Sequence, residues 1–349
     1  MKTSYSKDDV IILLKDITGQ VQPQPTEERE RLIQAGKHYS EMLPIEYKPS
    51  EKYMEIYNKT LKVFAKSNAN AIGSLADKII ATRGKDVVLV SLARAGIPIG
   101  ILIKRYIKFK YDIDVMHYSI SIIRGRGIDK NAINYLLEKY DSSQLLFVDG
   151  WIGKGAILRE LEKDLEDYPE VSAELAVVAD PAGETTLCGT HDDILIPSSC
   201  LNSTVSGLIS RTFLRDDIIG PDDFHGAVYY GELRDMDLSY AFIEAIQKEF
   251  VSDNIADDKK LVKKGIDEVK EVAKHFGIDD INLIKPGIGE ATRVLLRRVP
   301  WKILIDERYM DNVELEHLIK LAEEKNVPVE NYRLNNYKCC GLIKKLADA

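Results

Sequence analysis

Residues 145–157, LLFVDGWIGKGAI, bring one carboxylate and three glycines together at a strand-to-helix junction. Asp149 ends an apolar run, Gly150, Gly153 and Gly155 make a turn, and AILRELEKDLEDY after it is helix-forming. The first amides of a helix lack partners and its macrodipole is positive at that end, so such a junction attracts anions. The cargo this predicts is a sugar phosphate. Asp149 offers the carboxylate, and the backbone of Gly153, Lys154, Gly155, Ala156 and Ile157 offers the free amides. Glycines let the chain approach phosphate oxygens closely and adopt positive φ. A Walker A loop does not fit, because Gly153-Lys154 is followed by Gly155 and no glycine stands five positions upstream of Gly153. A dinucleotide fingerprint fails too: Gly153-x-Gly155 continues to Leu158 where glycine is needed.

A second junction strengthens the phosphate reading. DVVLVSL (86–92) is a valine-rich run of buried-strand type; Ala93, Arg94, Ala95 and Gly96 follow, and IPIGILIKRYI resumes as an apolar helix. Arg94 among small residues suits a polyanion, whose oxygens a guanidinium grips bidentately. SISIIRGRGID (119–129) alternates Arg124 and Arg126 with glycines. It reads either as a cationic lid that excludes water or as a basic surface loop. In 188–212, Cys188, His191 and Cys200 allow a thiol nucleophile with its base, for which Cys200 is the candidate. A zinc site would want four ligands in pairs, and only three candidates occur. Ser198, Ser199 and Asn202 suit the capping of a helix from about 203 or hydrogen bonds to an aglycone. Asp223, Phe224, His225 and Gly226 are weaker candidates.

The elements that must hold these residues alternate at βαβ spacing: strand 86–92, helix 97–109, strand 113–120, helix 129–140, strand 144–149, helix 155–167. This predicts a doubly wound parallel sheet with ligands at its strand carboxyl ends. A polar, acidic stretch, VSDNIADDKK (251–260), marks a boundary, giving one domain over 1–252 (core about 30–250), a linker over 253–262 and a second domain over 263–349. The tail predicts a small three-layer α/β unit: helix 263–276, strand 281–284, helix 289–298, strand 301–305, helix 312–325, strand 327–332, helix 337–346. The 349 residues carry a net charge of −8; sixteen Lys and Arg against fifteen Asp and Glu over 263–349 make the tail +1 and leave −9 for 1–262. That balance argues against a generally basic nucleic-acid coat. Four cysteines without a disulfide pattern, acids within the short N-terminal apolar run, and no stretch of membrane-span length predict a cytoplasmic protein.

FVDGWIGKGAI and SLARAG resemble the diphosphoribose and pyrophosphate loops of the type I phosphoribosyltransferases. The resemblance implies phosphoribosyl pyrophosphate as ligand, Mg²⁺ as cofactor, and Asp149, Arg94, Arg124 and Arg126 as catalytic residues. It departs at Gly150, where that family has a second acid, and at Gly153 and Lys154, where it has hydroxyl residues; Lys154 could replace the hydroxyls by charge. More narrowly, GKHYSEMLPIEY (36–47), SLARAGIPIG (91–100), IRGRGID (123–129), VDGWIGKGAI (148–157), IPSSCLNSTVSGLISRT (196–212) and DFHGAVYYGEL (223–233) resemble bacterial phosphoribosyltransferase-like proteins that bear the name "cysteine protease StiP". Those are fused to a pelota-type RNA-binding domain and associated with tellurite-resistance and stress gene clusters. The resemblance implies transfer of ribose 5-phosphate to or from a base in a nucleotide-like stress metabolite, and a homodimer. An RNA-binding regulator that senses a nucleotide, and a cysteine protease, are the alternatives.

The tail itself is similar to the pelota and kink-turn RNA-binding family through PGIGEATRVLLRR (286–298), WKILIDE and LIKLAEEKNVPVENY. That family's G-x-N-E-x-T-K/R stretch matches Gly287, Glu290, Thr292 and Arg293, with Gly289 in place of asparagine. The resemblance implies RNA as partner. Lys285 near a helix N-terminus suits a phosphate, and Arg293 and Arg297, one turn apart, could follow a backbone.

Overall fold

The computed structural model describes residues 1–253 and 259–344, except the side chains of residues 26, 30, 34 and 297. The chain opens with two short strands, β1 (Ile11–Ile12) and β2 (Lys15–Asp16), and helix α1 (Thr26–Gln34). A helix that the motif reading passed over follows, α2 (Glu51–Arg83), 33 residues long. Ser50 caps it by accepting from Tyr53 N–H, and Gly84 at φ 75° ends it. The expected alternation comes next: β3 (Val88–Ala93), α3 (Gly96–Tyr111), β4 (Met116–Ile123), a short β5 (Gly127–Ile128), α4 (Lys130–Leu137), β6 (Leu145–Trp151), α5 (Ala156–Asp164), β7 (Leu175–Ala179) and β8 (Cys188–Thr190). Strand β9 (Gly226–Ala227) pairs with β2, and α6 (Ser239–Gln247) returns to the main sheet.

That sheet has the order β1-β4-β3-β6-β7-β8, every neighbour parallel, with β5 folded back antiparallel on β4. Its central strands are largely apolar because both faces are covered, with buried Ser91 of β3 and His117 of β4 satisfying each other at 2.7 Å. Side chains of α2, α3 and α6 make one buried cluster and those of α4 and α5 another. Order reverses between β3 and β6: β3 leads to the β4 side of the sheet and β6 to the β7 side. At such a switch point the two outgoing loops part and leave a crevice. Gly96 lets α3 sit tightly there, since a Cβ on it would stand 2.5 Å from Val148 O.

The C-terminal unit comprises α7 (Gly265–Phe276), β10 (Ile284–Pro286), α8 (Ile288–Arg297), β11 (Pro300–Ile305), α9 (Glu316–Glu324), β12 (Val329–Asn331) and β13 (Cys339–Ile343), with sheet order β10-β13-β11-β12. One face packs α7, and the other packs α8 and α9, so the unit has three layers. Residues 339–343, expected within a helix, form instead the strand between β10 and β11, antiparallel to both. Two open strand edges there demand a partner, and Gly341 lets α8 lie close, a Cβ on it meeting Ala291 Cα at 3.1 Å. Residues 345–346 of that expected helix lie outside the described residues. Around 203 there is a single 3₁₀ turn, Ser203–Val205, with no side-chain cap from Asn202, so the helix expected to start there is absent. No described helix is long and apolar enough to cross a membrane.

Candidate anion-binding site

Asp149 stands at the tip of β6, half-buried, and accepts from Gly150 N–H at 2.7 Å. Burial pushes its carboxyl up to about 6. Gly150 cannot stand in for an acid directed at a ligand: a Cβ there would point towards Ile196 Cδ1 at 3.4 Å and Ile99 at 4.0 Å. Gly155 (φ 75°) starts α5 in the left-handed region, and no side chain caps that helix. A crevice of about 290 Å³ runs from Asp149 past Gly153, Lys154, Gly155, Ala156 and Ile157, with Ala95 and Arg124 on its rim. Among the described residues no group of three or more His, Cys, Asp and Glu side chains gathers to hold a metal ion.

The opposite wall of the crevice is the C-terminal unit. Lys285, Glu290 and Arg293 all line it. Lys154 donates to Ile281 O (2.8 Å) and Ile284 O (3.0 Å), and Tyr337 Oη donates to Gly153 O (2.7 Å), so the glycine loop is tied to that wall. Asp193, 1% exposed, completes the join by accepting from Ile288 N–H (3.1 Å) and Lys338 N–H (2.9 Å). Burial and then the charge of Lys285 bring Lys154 down to about 8, and burial lowers Lys285 as well. Glu290 is the acid beside them, and it already pairs with Arg293 at 2.9 Å.

The residues expected to meet RNA divide between packing positions and the wall of the crevice. Thr292 is fully buried and bonds Ile288 O and His317. Gly287 packs on Trp151 and Asp193, and Gly289 on Leu195 and Ser199. Lys285, Glu290 and Arg293 face the crevice; the Arg297 side chain lies outside the described residues. An amphipathic helix shows in sequence which residues share a face, but not which layer that face meets.

Arg94 stands beside the crevice, on the hollow that Ala95 and Gly150 also line. Its guanidinium donates to Ile209 O (2.9 Å) and Asn202 Oδ1 (3.4 Å) and lines a neighbouring cleft of about 800 Å³; it does not line the crevice that holds Asp149. A small hollow between the two is walled by Ala95, Ser198, Ser199, Asn202 and Arg293. Ala93 ends β3, and buried Gly96 serves packing and does not line the crevice. Arg126 points away from the crevice and pairs with Glu41. Cys200 is 1% exposed, its sulfur 4.0 Å from Thr60 Oγ1, whereas His191 sits on Cys188, Nε2 to Sγ 3.5 Å. Asp223 is engaged by Lys15 and His225 by Ser121; neither belongs to the crevice. Trp151, Arg29, Arg211 and Tyr230 were not singled out from sequence; Arg211 lay within a noted motif, but nothing local marked its direction.

A doubly wound sheet with a crevice at its switch point, walled by a second α/β unit, defines an α/β protein of two parts. Residues 3–247 match the family described as "Tellurite-like stress resistance cysteine protease StiP", and residues 240–345 match the PELOTA RNA binding domain. The chain belongs to the StiP family. It is 35% identical to "Cysteine protease StiP" of Acinetobacter baylyi, over 98% of this chain and 94% of that one. Solved structures it resembles include a hypoxanthine-guanine phosphoribosyltransferase from Bacillus anthracis (16% identity, 35% of this chain and 71% of that one, TM-score 0.26). A xanthine-guanine-hypoxanthine phosphoribosyltransferase from Helicobacter pylori is similar at 16% identity, 33% and 73% coverage, and TM-score 0.23. Likeness that loose bears on no activity.

Proposed function

We propose that the crevice binds a phosphorylated pentose and that the chain is a phosphoribosyltransferase. One observation carries this: an aspartate and an uncapped helix N-terminus meet at the switch point under Lys154, Lys285 and Arg124, three cations in a crevice whose lining acids are Asp149 and Glu290. The amides of 155–157 take the 5-phosphate, and Asp149 accepts from the ribose hydroxyls. A nucleophile's lone pair then bonds to C1 of the ribose as the bond to the diphosphate oxygen breaks, and pyrophosphate leaves with the electron pair. The cations stabilise charge accumulating on the leaving group, where preformed positive charge is most effective. Mg²⁺ suits the donor set, because it needs one or two carboxylates and takes its other oxygens from water and phosphate. Asp149 would hold it, and when bound it neutralises part of the diphosphate charge.

The test is pyrophosphate release from phosphoribosyl pyrophosphate over a panel of bases, wild type against Asp149→Asn. Turnover that the variant loses supports the transferase. Tight binding without turnover replaces it with a nucleotide-sensing regulator, and failure to bind removes both.

A second reading, a cysteine protease, has the Acinetobacter relative's name and one geometric observation behind it. His191 Nδ1 lies 2.8 Å from Asp180 O, which can only accept, so Nε2 is left as an acceptor facing Cys188. The sulfur's burial on β8 counts against it. Casein cleavage abolished in Cys188→Ser but intact in Cys200→Ser would establish it.

A further inference from the structure

The cleft beside the crevice gathers positive charge that the protein itself does not answer. Arg29, Arg94 and Arg211 line it, and of its lining residues only Glu46 is acidic. Glu46 is already committed, accepting from Ser203 N–H (3.0 Å) and Ser203 Oγ (2.7 Å). Among the described residues the Arg211 guanidinium makes no hydrogen bond or ion pair; it lies over the Tyr39 ring, 5.3 Å from its centroid. Burial, followed by repulsion from Arg29 and Arg94, brings Arg211 down to about 10. Arg29 Nε is buried without a partner.

Neutral donors repeat the pattern. Tyr230 is 4% exposed and Thr204 2%, both line the cleft, and neither hydroxyl has a hydrogen-bond partner. Buried polar groups are ordinarily satisfied and buried charges paired. Two orphaned hydroxyls and an orphaned guanidinium N–H around one cavity therefore mark the place of an absent acceptor. A lone carboxylate has one charge and two oxygens, too few for three arginines and two hydroxyls. A phosphate ester or diphosphate has enough of both, in the geometry that guanidinium forks match.

We propose that this cleft is a second ligand site, built for a phosphate-bearing small molecule and distinct from the crevice at Asp149. Tyr39 and Tyr53 line its walls for the rest of the ligand. If the crevice holds a phosphorylated pentose, this ligand is what the pentose meets; that clause rests on the transferase reading, and the site itself does not.

Calorimetric titration of the full chain with inorganic pyrophosphate tests it. The variants are Arg211→Leu, Arg29→Gln, the nearly isosteric Tyr230→Phe, and Lys154→Met as the crevice control, each first shown to melt as wild type does. Wild type should show two classes of site. The cleft class should weaken about tenfold or more in the two arginine variants, weaken measurably in Tyr230→Phe, and survive Lys154→Met. Binding untouched by the arginine variants but lost in Lys154→Met overturns the cleft and leaves the crevice standing. The reverse pattern keeps the cleft and sinks the crevice. Succinate binding as tightly as pyrophosphate overturns the phosphate assignment, and no binding at all overturns both sites.

Discussion

Binding of an anion in the crevice should draw a proton onto Lys154 above pH 8. Burial and the neighbouring Lys285 lower this ammonium from 10.5 to about 8, although two of its donors reach Ile281 O and Ile284 O. Between those two values the folded protein holds fewer protons than a free lysine would. An anion favours the charged form, so its affinity is level below pH 8 and falls as pH rises beyond it. At about 1.4 kcal/mol per pH unit, the drop from 10.5 to about 8 corresponds to about 3 kcal/mol. Solvent screening of a half-buried site leaves about 1–2 kcal/mol for an anion to recover, or about tenfold in Kd between pH 8 and 10. Sulfate is the probe, since it does not itself titrate there. Calorimetry in two buffers of different ionisation enthalpy should give no proton uptake near pH 7 and a substantial fraction of a proton near pH 9. Uptake that is absent near pH 9, or unchanged in Lys154→Met, would falsify this account. Sulfate in the arginine cleft is told apart by Lys154→Met, because Arg211, brought down to about 10, exchanges protons only towards the top of this range.

Asp149→Asn should stabilise the protein while abolishing transfer. The raised carboxyl favours its protonated form, so its contribution is present below about pH 4 and lost as pH rises through 6; the variant should therefore gain about 1–2 kcal/mol at pH 7 and nothing at pH 4, read from melting curves. Asp193→Ala strands the Ile288 and Lys338 amides at the join between the two units. It should cost about 2–5 kcal/mol and speed hydrogen exchange over 288–297; protection there equal to wild type would disprove that anchoring role. Gly96→Ala must push α3 away from Val148 O and should cost about 2–4 kcal/mol, whereas an unchanged Tm would mean that the contact relaxes freely.

How much was legible beforehand follows from how local each signal is. DVVLVSL, LLFVDG and the helices after them were readable because continuous apolar runs, glycine turns and helical periodicity are local patterns. Parallel order and ligand position then follow from connection rules. Residues 339–343 were misread because a short apolar stretch with lysines suits either helix or strand, and the choice was made by two strand edges contributed from elsewhere in the chain.

From sequence alone came the doubly wound sheet, the glycine loop with Asp149 at its mouth, and the appended α/β unit. Tertiary structure alone decided which way the cations face. Arg126 turned to Glu41, Arg94 and Arg211 joined one cleft from loops over a hundred residues apart, and Lys285 and Arg293 turned inward to become a wall of the crevice. The physical reason is reach: a long charged side chain can span several ångströms in any direction its backbone allows. Its destination is set by burial and opposing charge across the fold, which spacing along the chain does not encode.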